Sequence, residues 1–158
     1  MGRAAVIAGL ASLAALVAAG WLAWPRSAED GPPPQTAAEM AEGRQLYADY
    51  CASCHGADLE GQPDWQSPGP DGRLPAPPHD ETGHTWHHGD ALLIDYVRLG
   101  GRLALARRGA DFDSGMPGFE GQLDERQIRA ILSYIKSTWP RRLQEVQAER
   151  TLAEQGGN

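Results

Sequence analysis

The stretch Tyr50-Cys51-Ala52-Ser53-Cys54-His55-Gly56 decides how the rest of the chain is read. Two cysteines three positions apart fall on nearly the same side of a helical turn. Placed so, each thiol can add across one of the two vinyl groups of a haem to give a thioether. His55 follows at once and brings an imidazole to the iron from the same face. Cys-x-x-Cys-His is the pattern of covalent haem attachment, so Cys51 and Cys54 are the candidate thioether residues and His55 is a candidate axial ligand. The chain has two cysteines in all, which excludes a multi-disulfide scaffold. A redox-active dithiol would want a strand–helix–strand setting, and no run here alternates with period two. A zinc site built on Cys51, Cys54 and two of His79, His84, His87 and His88 needs longer gaps than zinc fingers use, and it leaves His55 idle.

An iron held by one imidazole has a sixth position, which suits a methionine or a second histidine. Of the three methionines, Met1 is at the chain's start and Met40 lies in a helical run that would pack in the core. Met116 sits in Ser114-Gly115-Met116-Pro117-Gly118-Phe119, where glycine and proline permit a tight, restrained turn. It is the candidate sixth ligand, with His84, His87 or His88 as the fallback. An iron saturated by His55 and Met116 has no vacancy for substrate, so the expectation is an electron carrier and no enzyme. A haem-based sensor would instead need a vacant or displaceable sixth site.

The rest of the chain of 158 residues must frame this centre. A net charge of −7 argues against nucleic-acid partners, which need a basic surface. Ala4 to Trp24 is an uncharged run of 21 residues, about 31 Å as a helix. That length fits a bilayer's hydrocarbon core, with Trp21 and Trp24 at one interface. A cleaved signal peptide ending near Val17-Ala18-Ala19 is the alternative, although the apolar run continues past that point. The expected organisation is a transmembrane anchor at 1–25, a proline-rich linker at 26–36 built on Pro32-Pro33-Pro34, a domain at 37–140 and a polar helical tail at 141–158. Covalent haem attachment takes place outside the bacterial cytoplasmic membrane, so the domain is expected on the periplasmic side.

Within the domain, three helices are expected over 37–50, 90–99 and 125–138. The last is the clearest. Asp124 and Gln127 form a capping box, Ile128, Ile131, Leu132 and Ile135 follow the helical period, and Trp139-Pro140 ends it. Gly100-Gly101 stops the middle helix. Residues 56–88 hold six prolines and no periodicity, so this stretch is expected to be a loop wrapped around a flat apolar ligand. The tail reads as an exposed or partner-bound helix ending at Gly156-Gly157-Asn158. No sheet is expected.

Taken in order, Gly43-x-x-x-Tyr47, Cys51-x-x-Cys54-His55, Met116-Pro117 and the helix carrying Tyr134 before Trp139-Pro140 resemble a class I c-type cytochrome over roughly residues 36 to 139. The resemblance is closest to membrane-anchored bacterial monohaem cytochromes and to cytochrome domains of haem–copper oxidase subunits. It implies an all-α fold of three or more helices and long loops around one covalently bound haem c. It also implies that Gly43 and Tyr47 cross Ile131, Tyr134 or Ile135, and that the carbonyl of Pro75, Pro77 or Pro78 accepts a hydrogen bond from His55. Trp86 and Arg73 are candidates for contact with the haem propionates. The implied partners are redox proteins: a quinol-oxidising complex as donor and a terminal oxidase or other acceptor. Two features depart from the family. Lys136 is the single lysine, so a lysine docking ring is missing, while Arg98, Arg102, Arg107 and Arg108 lie close in sequence. In addition, His79, His84, His87 and His88 crowd ten residues, which suggests a metal-binding accessory protein as an alternative function.

Overall fold

The computed structural model describes residues 36–156. The expected anchor and most of the linker lie outside the described residues. Among those described, no helix is long and apolar enough to cross a membrane, and none forms a strand.

Six α-helices and one 3-10 turn make up the domain: α1 Ala37–Tyr50, α2 Ala52–His55, the 3-10 turn Thr85–His87, α3 Asp90–Leu99, α4 Gly101–Ala106, α5 Glu125–Ser137 and α6 Arg141–Gly156. Helix α1 starts at a capping box in which the Thr36 side chain accepts from the Glu39 amide and Glu39 returns a bond to the Thr36 amide. Helix α5 starts the same way at Asp124 and Gln127, as the sequence suggests. Its stripe of Ile128, Ile131, Leu132 and Ile135 is buried, and it lies across α1. The crossing turns on Gly43, where an added Cβ would stand 2.1 Å from the Ala130 carbonyl oxygen and 3.2 Å from the Tyr134 Cβ. One turn further along α1, Tyr47 packs on Tyr134 with ring centroids 5.6 Å apart. Tyr47, Ile128 and Ile131 are the largest fully buried side chains, so this crossing is the centre of the core. Outside it, Arg126 reaches back from α5 to grip both carboxylate oxygens of Glu42.

Two findings go beyond the sequence reading. Gly100 ends α3 as the sequence suggests, but it is also a corner: the chain turns there (φ 81°) and starts α4 at once. The tail is a helix, mostly exposed as expected, but one face of it is docked on the domain. Helix α6 folds back over the 3-10 turn and the start of α3, and Gln147 is buried there at 2% exposure. Gln147 hides because its amide nitrogen is engaged: Nε2 donates to the Asp90 carboxylate at 2.7 Å and shares its second hydrogen between the His88 carbonyl and the Thr151 hydroxyl, both at 3.2 Å. A polar helix can therefore dock by hydrogen bonds where it has few apolar side chains to offer.

Candidate haem site

Cys51 ends α1 and is buried, whereas Cys54 is exposed on the single turn of α2. Burial pushes the Cys51 thiol up to about 12, helped by the charge of Cys54 beside it. A thiol so protonated at neutral pH is a poor redox nucleophile, which counts against the dithiol reading. His55 closes α2 and is buried. Its Nδ1 lies 2.8 Å from the Pro77 carbonyl oxygen. A carbonyl only accepts, so Nδ1 carries the proton and Nε2 keeps its lone pair. Burial holds His55 below the ordinary imidazole range, against the Pro77 bond, which raises it. The imidazole is thus neutral, with one nitrogen anchored and the other ready to bind a metal.

Of the three prolines that sequence leaves open, Pro77 is selected by a contact sixteen positions away. Gly61 (φ 69°) lets the two arms of the 56–88 loop touch: a Cβ there would meet the Pro78 nitrogen at 2.4 Å and the Pro77 carbonyl carbon at 2.7 Å. The Gln62 amide bonds the Ala76 carbonyl at 2.9 Å, and the His79 amide bonds the Leu59 carbonyl at 2.8 Å. Leu59 itself, 3% exposed, plugs the core from within this loop. The loop is therefore pinned at its neck, not structureless.

His79 stacks on His55, with ring centroids 4.0 Å apart and planes 22° from parallel. It is fixed by its Nδ1 contact to the Thr85 hydroxyl at 2.8 Å and by a bond of 2.7 Å from Trp139 Nε1 to its carbonyl. The other histidines are spent on aromatic contacts. His84 lies flat on Trp65 at 5.4 Å, and His87 packs on Trp86 at 3.7 Å. Among the described residues, no three His, Cys, Asp or Glu side chains come together in a way that would hold a metal ion. As placed here, the histidines do not assemble a metal site, because their rings face tryptophans and one another.

Met116 sits on a loop sewn to the far end of α3. The Phe119 amide bonds the Val97 carbonyl at 3.0 Å, the Glu120 amide bonds that of Arg98 at 2.9 Å, and the Gly101 amide bonds that of Met116 at 3.2 Å. This seam needs the corner glycines: a Cβ on Gly100 would stand 2.8 Å from the Gly118 nitrogen, and one on Gly101 would run into the Ser114 hydroxyl. Phe119 meets Tyr50 edge-on at 5.8 Å, which ties this loop to the residue before Cys51. Met116 and Trp86 both border the apolar cluster that contains Cys51. Arg73 also arrives here. Its Nε contacts Asp113 at 3.1 Å, and Arg102 holds the other oxygen of that carboxylate.

The residues present fit a haem. An open, mostly apolar cleft of about 380 Å³ beside Met116 is lined by Leu99, Gly100, Arg102, Leu103, Ala106, Met116 and Gly118, and it does not include Cys51, Cys54, His55 or Trp86. Trp86 Nε1 is a buried donor with no acceptor among the described residues. Such an orphan costs free energy unless something accepts from it, and a propionate would. A neutral imidazole and a thioether are the donor pair that low-spin haem iron takes.

A family model for cytochrome c matches residues 40–139. The chain belongs to the cytochrome c family. That family carries haem c bound covalently and serves electron transfer, and the Cys51–Cys54 spacing agrees with it. Relatives include the cbb3-type cytochrome c oxidase subunit FixP of Bradyrhizobium sp. (strain ORS 278), 28% identical over 109 residues, or 68% of this chain and 30% of that one. Another is the cbb3-type cytochrome c oxidase subunit CcoP of Rhodobacter capsulatus, 31% identical over 107 residues, or 66% of this chain and 31% of that one. The chain thus spans about a third of the length of these relatives. No solved structure matches it. The all-helical fold is that expected of a class I cytochrome c. Sequence reading missed Gly61, and it named His79 only among the metal-ligand candidates, not as the ring that packs on His55. The one signal for Gly61 is a glycine between charged and amide residues in a loop; His79 is masked by the histidines that follow it.

Proposed function

We propose that this cytochrome is a membrane-tethered monohaem electron carrier that passes single electrons between respiratory-chain partners on the periplasmic side of the bacterial cytoplasmic membrane. Cys51 and Cys54 would form the two thioethers, and His55 through Nε2 and Met116 through Sδ would hold the iron. Trp86 Nε1 donates to a propionate, and Arg73 stands near enough to the Met116 loop to neutralise one when it swings from Asp113. The observation that carries this reading is the His55–Pro77 bond, because it fixes the proton on the far nitrogen and points the chemistry of the near one at a metal. The bound haem supplies a one-electron change of iron valence. The protein's part is to hold both ligands in place through that change, so that little reorganisation accompanies each transfer. His55 is held by Pro77 and packed by His79, and Met116 is held by three backbone bonds to α3 and the corner after it. The exposed Cys54 marks the edge through which electrons would pass. The likeness to cbb3-type oxidase subunits supports a terminal oxidase as acceptor and a quinol-oxidising complex as donor. The uncharged run Ala4–Trp24 supports the tether.

The test uses full-length protein matured with the haem-attachment machinery. A haem-stained denaturing gel should show one band at the protein's mass, a redox titration should fit one electron, and the reduced protein should be oxidised by membranes that contain a cytochrome oxidase. A colourless gel band refutes the haem. A reduced protein that the oxidase leaves untouched refutes the carrier role.

A further inference from the structure

We propose that the C-terminal helix α6 is a brace for the sixth iron ligand, with Thr151 and Glu154 as positioning residues that act on Met116 through α3. The proposal rests on Met116 as that ligand. The segment that matches the family ends at residue 139, and α6 begins at Arg141, so the brace lies outside the shared domain.

Helix α3 opens at Gly89, which has no side chain to cap it. A helix start leaves backbone donors without intrahelical partners. Here α6 supplies the acceptors. The Asp90 amide donates to the Thr151 hydroxyl at 3.1 Å, and the Ala91 amide donates to Glu154 Oε2 at 3.0 Å. The Glu154 carboxylate also sits at the positive end of the α3 dipole, where an anion is favoured. The fit is close enough that a Cβ on Gly89 would strike the Glu154 carboxylate at 2.4 Å. Gln147 locks the same corner from inside by its bonds to Asp90 and to the His88 carbonyl. Lys136 of α5 holds the other approach to Asp90.

The opposite end of α3 carries the Met116 loop. Val97 and Arg98 give their carbonyls to Phe119 and Glu120, and Gly101, at the corner, gives its amide to Met116. Helix α3 is ten residues long, about 15 Å, and is stiff over that span. A rod held at one end by α6 and sewn at the other to the ligand loop cannot shift without moving both. Loss of the α6 acceptors leaves the Asp90 and Ala91 amides to solvent, frees the start of α3 to slide or fray, and raises the population in which Met116 lets go. Ligand exchange reads that population directly.

The experiment titrates ferric, full-length holoprotein with imidazole at fixed pH and follows loss of the methionine–iron charge-transfer band. The double variant Thr151→Val with Glu154→Ala should bind imidazole at least fivefold more tightly than wild type while it keeps its covalent haem. Glu154→Gln alone should shift affinity less, because its amide oxygen still accepts from Ala91. Arg126→Ala, which cuts the α1–α5 ion pair, should lower the unfolding midpoint and leave imidazole affinity unchanged. Unaltered imidazole affinity in the double variant overturns the brace, even if the protein melts earlier. Should the double variant fail to accumulate, Thr151→Val alone decides in the same way. A wild-type protein that lacks the band but has covalent haem overturns the Met116 assignment, and the brace with it.

Discussion

Replacing Gly61 by alanine should weaken the grip on His55 by a calculable amount. At φ 69° an alanine is strained, at a cost of about 1–2 kcal/mol. Its Cβ would sit 2.4 Å from the Pro78 nitrogen, roughly 1 Å inside ordinary contact. Backbone lies on the other side, so the Pro77-Pro78 arm must retreat by most of that distance. The bond from His55 Nδ1 to Pro77, now 2.8 Å, then stretches beyond hydrogen-bond range. Its loss adds about 1 kcal/mol, for a total near 2–3 kcal/mol. The same loss makes the imidazole a weaker donor to iron, which favours the reduced state. If about 1 kcal/mol of that bond is felt at the iron, the potential rises by roughly 40 mV for one electron. Gly72→Ala is the matched control: it also has a positive φ, 78°, but nothing stands within 4 Å of its Cβ. Urea unfolding and redox titration of both variants decide the matter. A Gly61→Ala protein that matches Gly72→Ala in stability and wild type in potential refutes the reasoning.

Three further outcomes are expected. Met116→Ala should keep its covalent haem on a denaturing gel, lose the methionine–iron band and gain carbon monoxide binding in the ferrous state. Gly43→Ala places a Cβ 2.1 Å from the Ala130 carbonyl and should cost about 3 kcal/mol or more, since overpacking against backbone cannot relax by a rotamer change; urea unfolding measures it. Burial raises the Asp90 carboxyl, but the bonds from Lys136, Gln147 and Thr151 outweigh it and hold the group below its ordinary value. The folded form therefore binds that proton less readily than the unfolded one. The resulting stability is fully present above about pH 4 and drains away as pH falls through the lowered value. Asp90→Asn should flatten the acid limb of the urea midpoint against pH.

The sequence spoke most clearly where one local rule was enough. Helices at 37–50, 90–99 and 125–137 follow from helix-forming composition and apolar stripes, with a capping box for the last, and the haem attachment pattern is a single contiguous word. Legibility failed where a feature depends on distant backbone. Pro77 is distinguished from Pro75 and Pro78 by Gly61, which no local pattern joins to it. Helix α4 is too short to show a period, and the glycine pair that opens it looks the same as a helix stop. The docked face of α6 is invisible to hydropathy, which weighs side chains by polarity, whereas Gln147 is buried through its hydrogen bonds. The histidines misled for a related reason: spacing says which rings are near, and only packing says that they face Trp65 and Trp86.

The lone lysine has a practical outcome for anyone who hunts this cytochrome's partners. Lys136 is half-buried against Asp90, so it presents no ring of ammonium groups to an acidic docking face, and any electrostatic steering must come from guanidinium groups. Reagents that couple amines will therefore report almost nothing from this domain. Carboxylate-directed or zero-length coupling chemistry, aimed at its many acidic residues, is the way to capture whatever protein it meets.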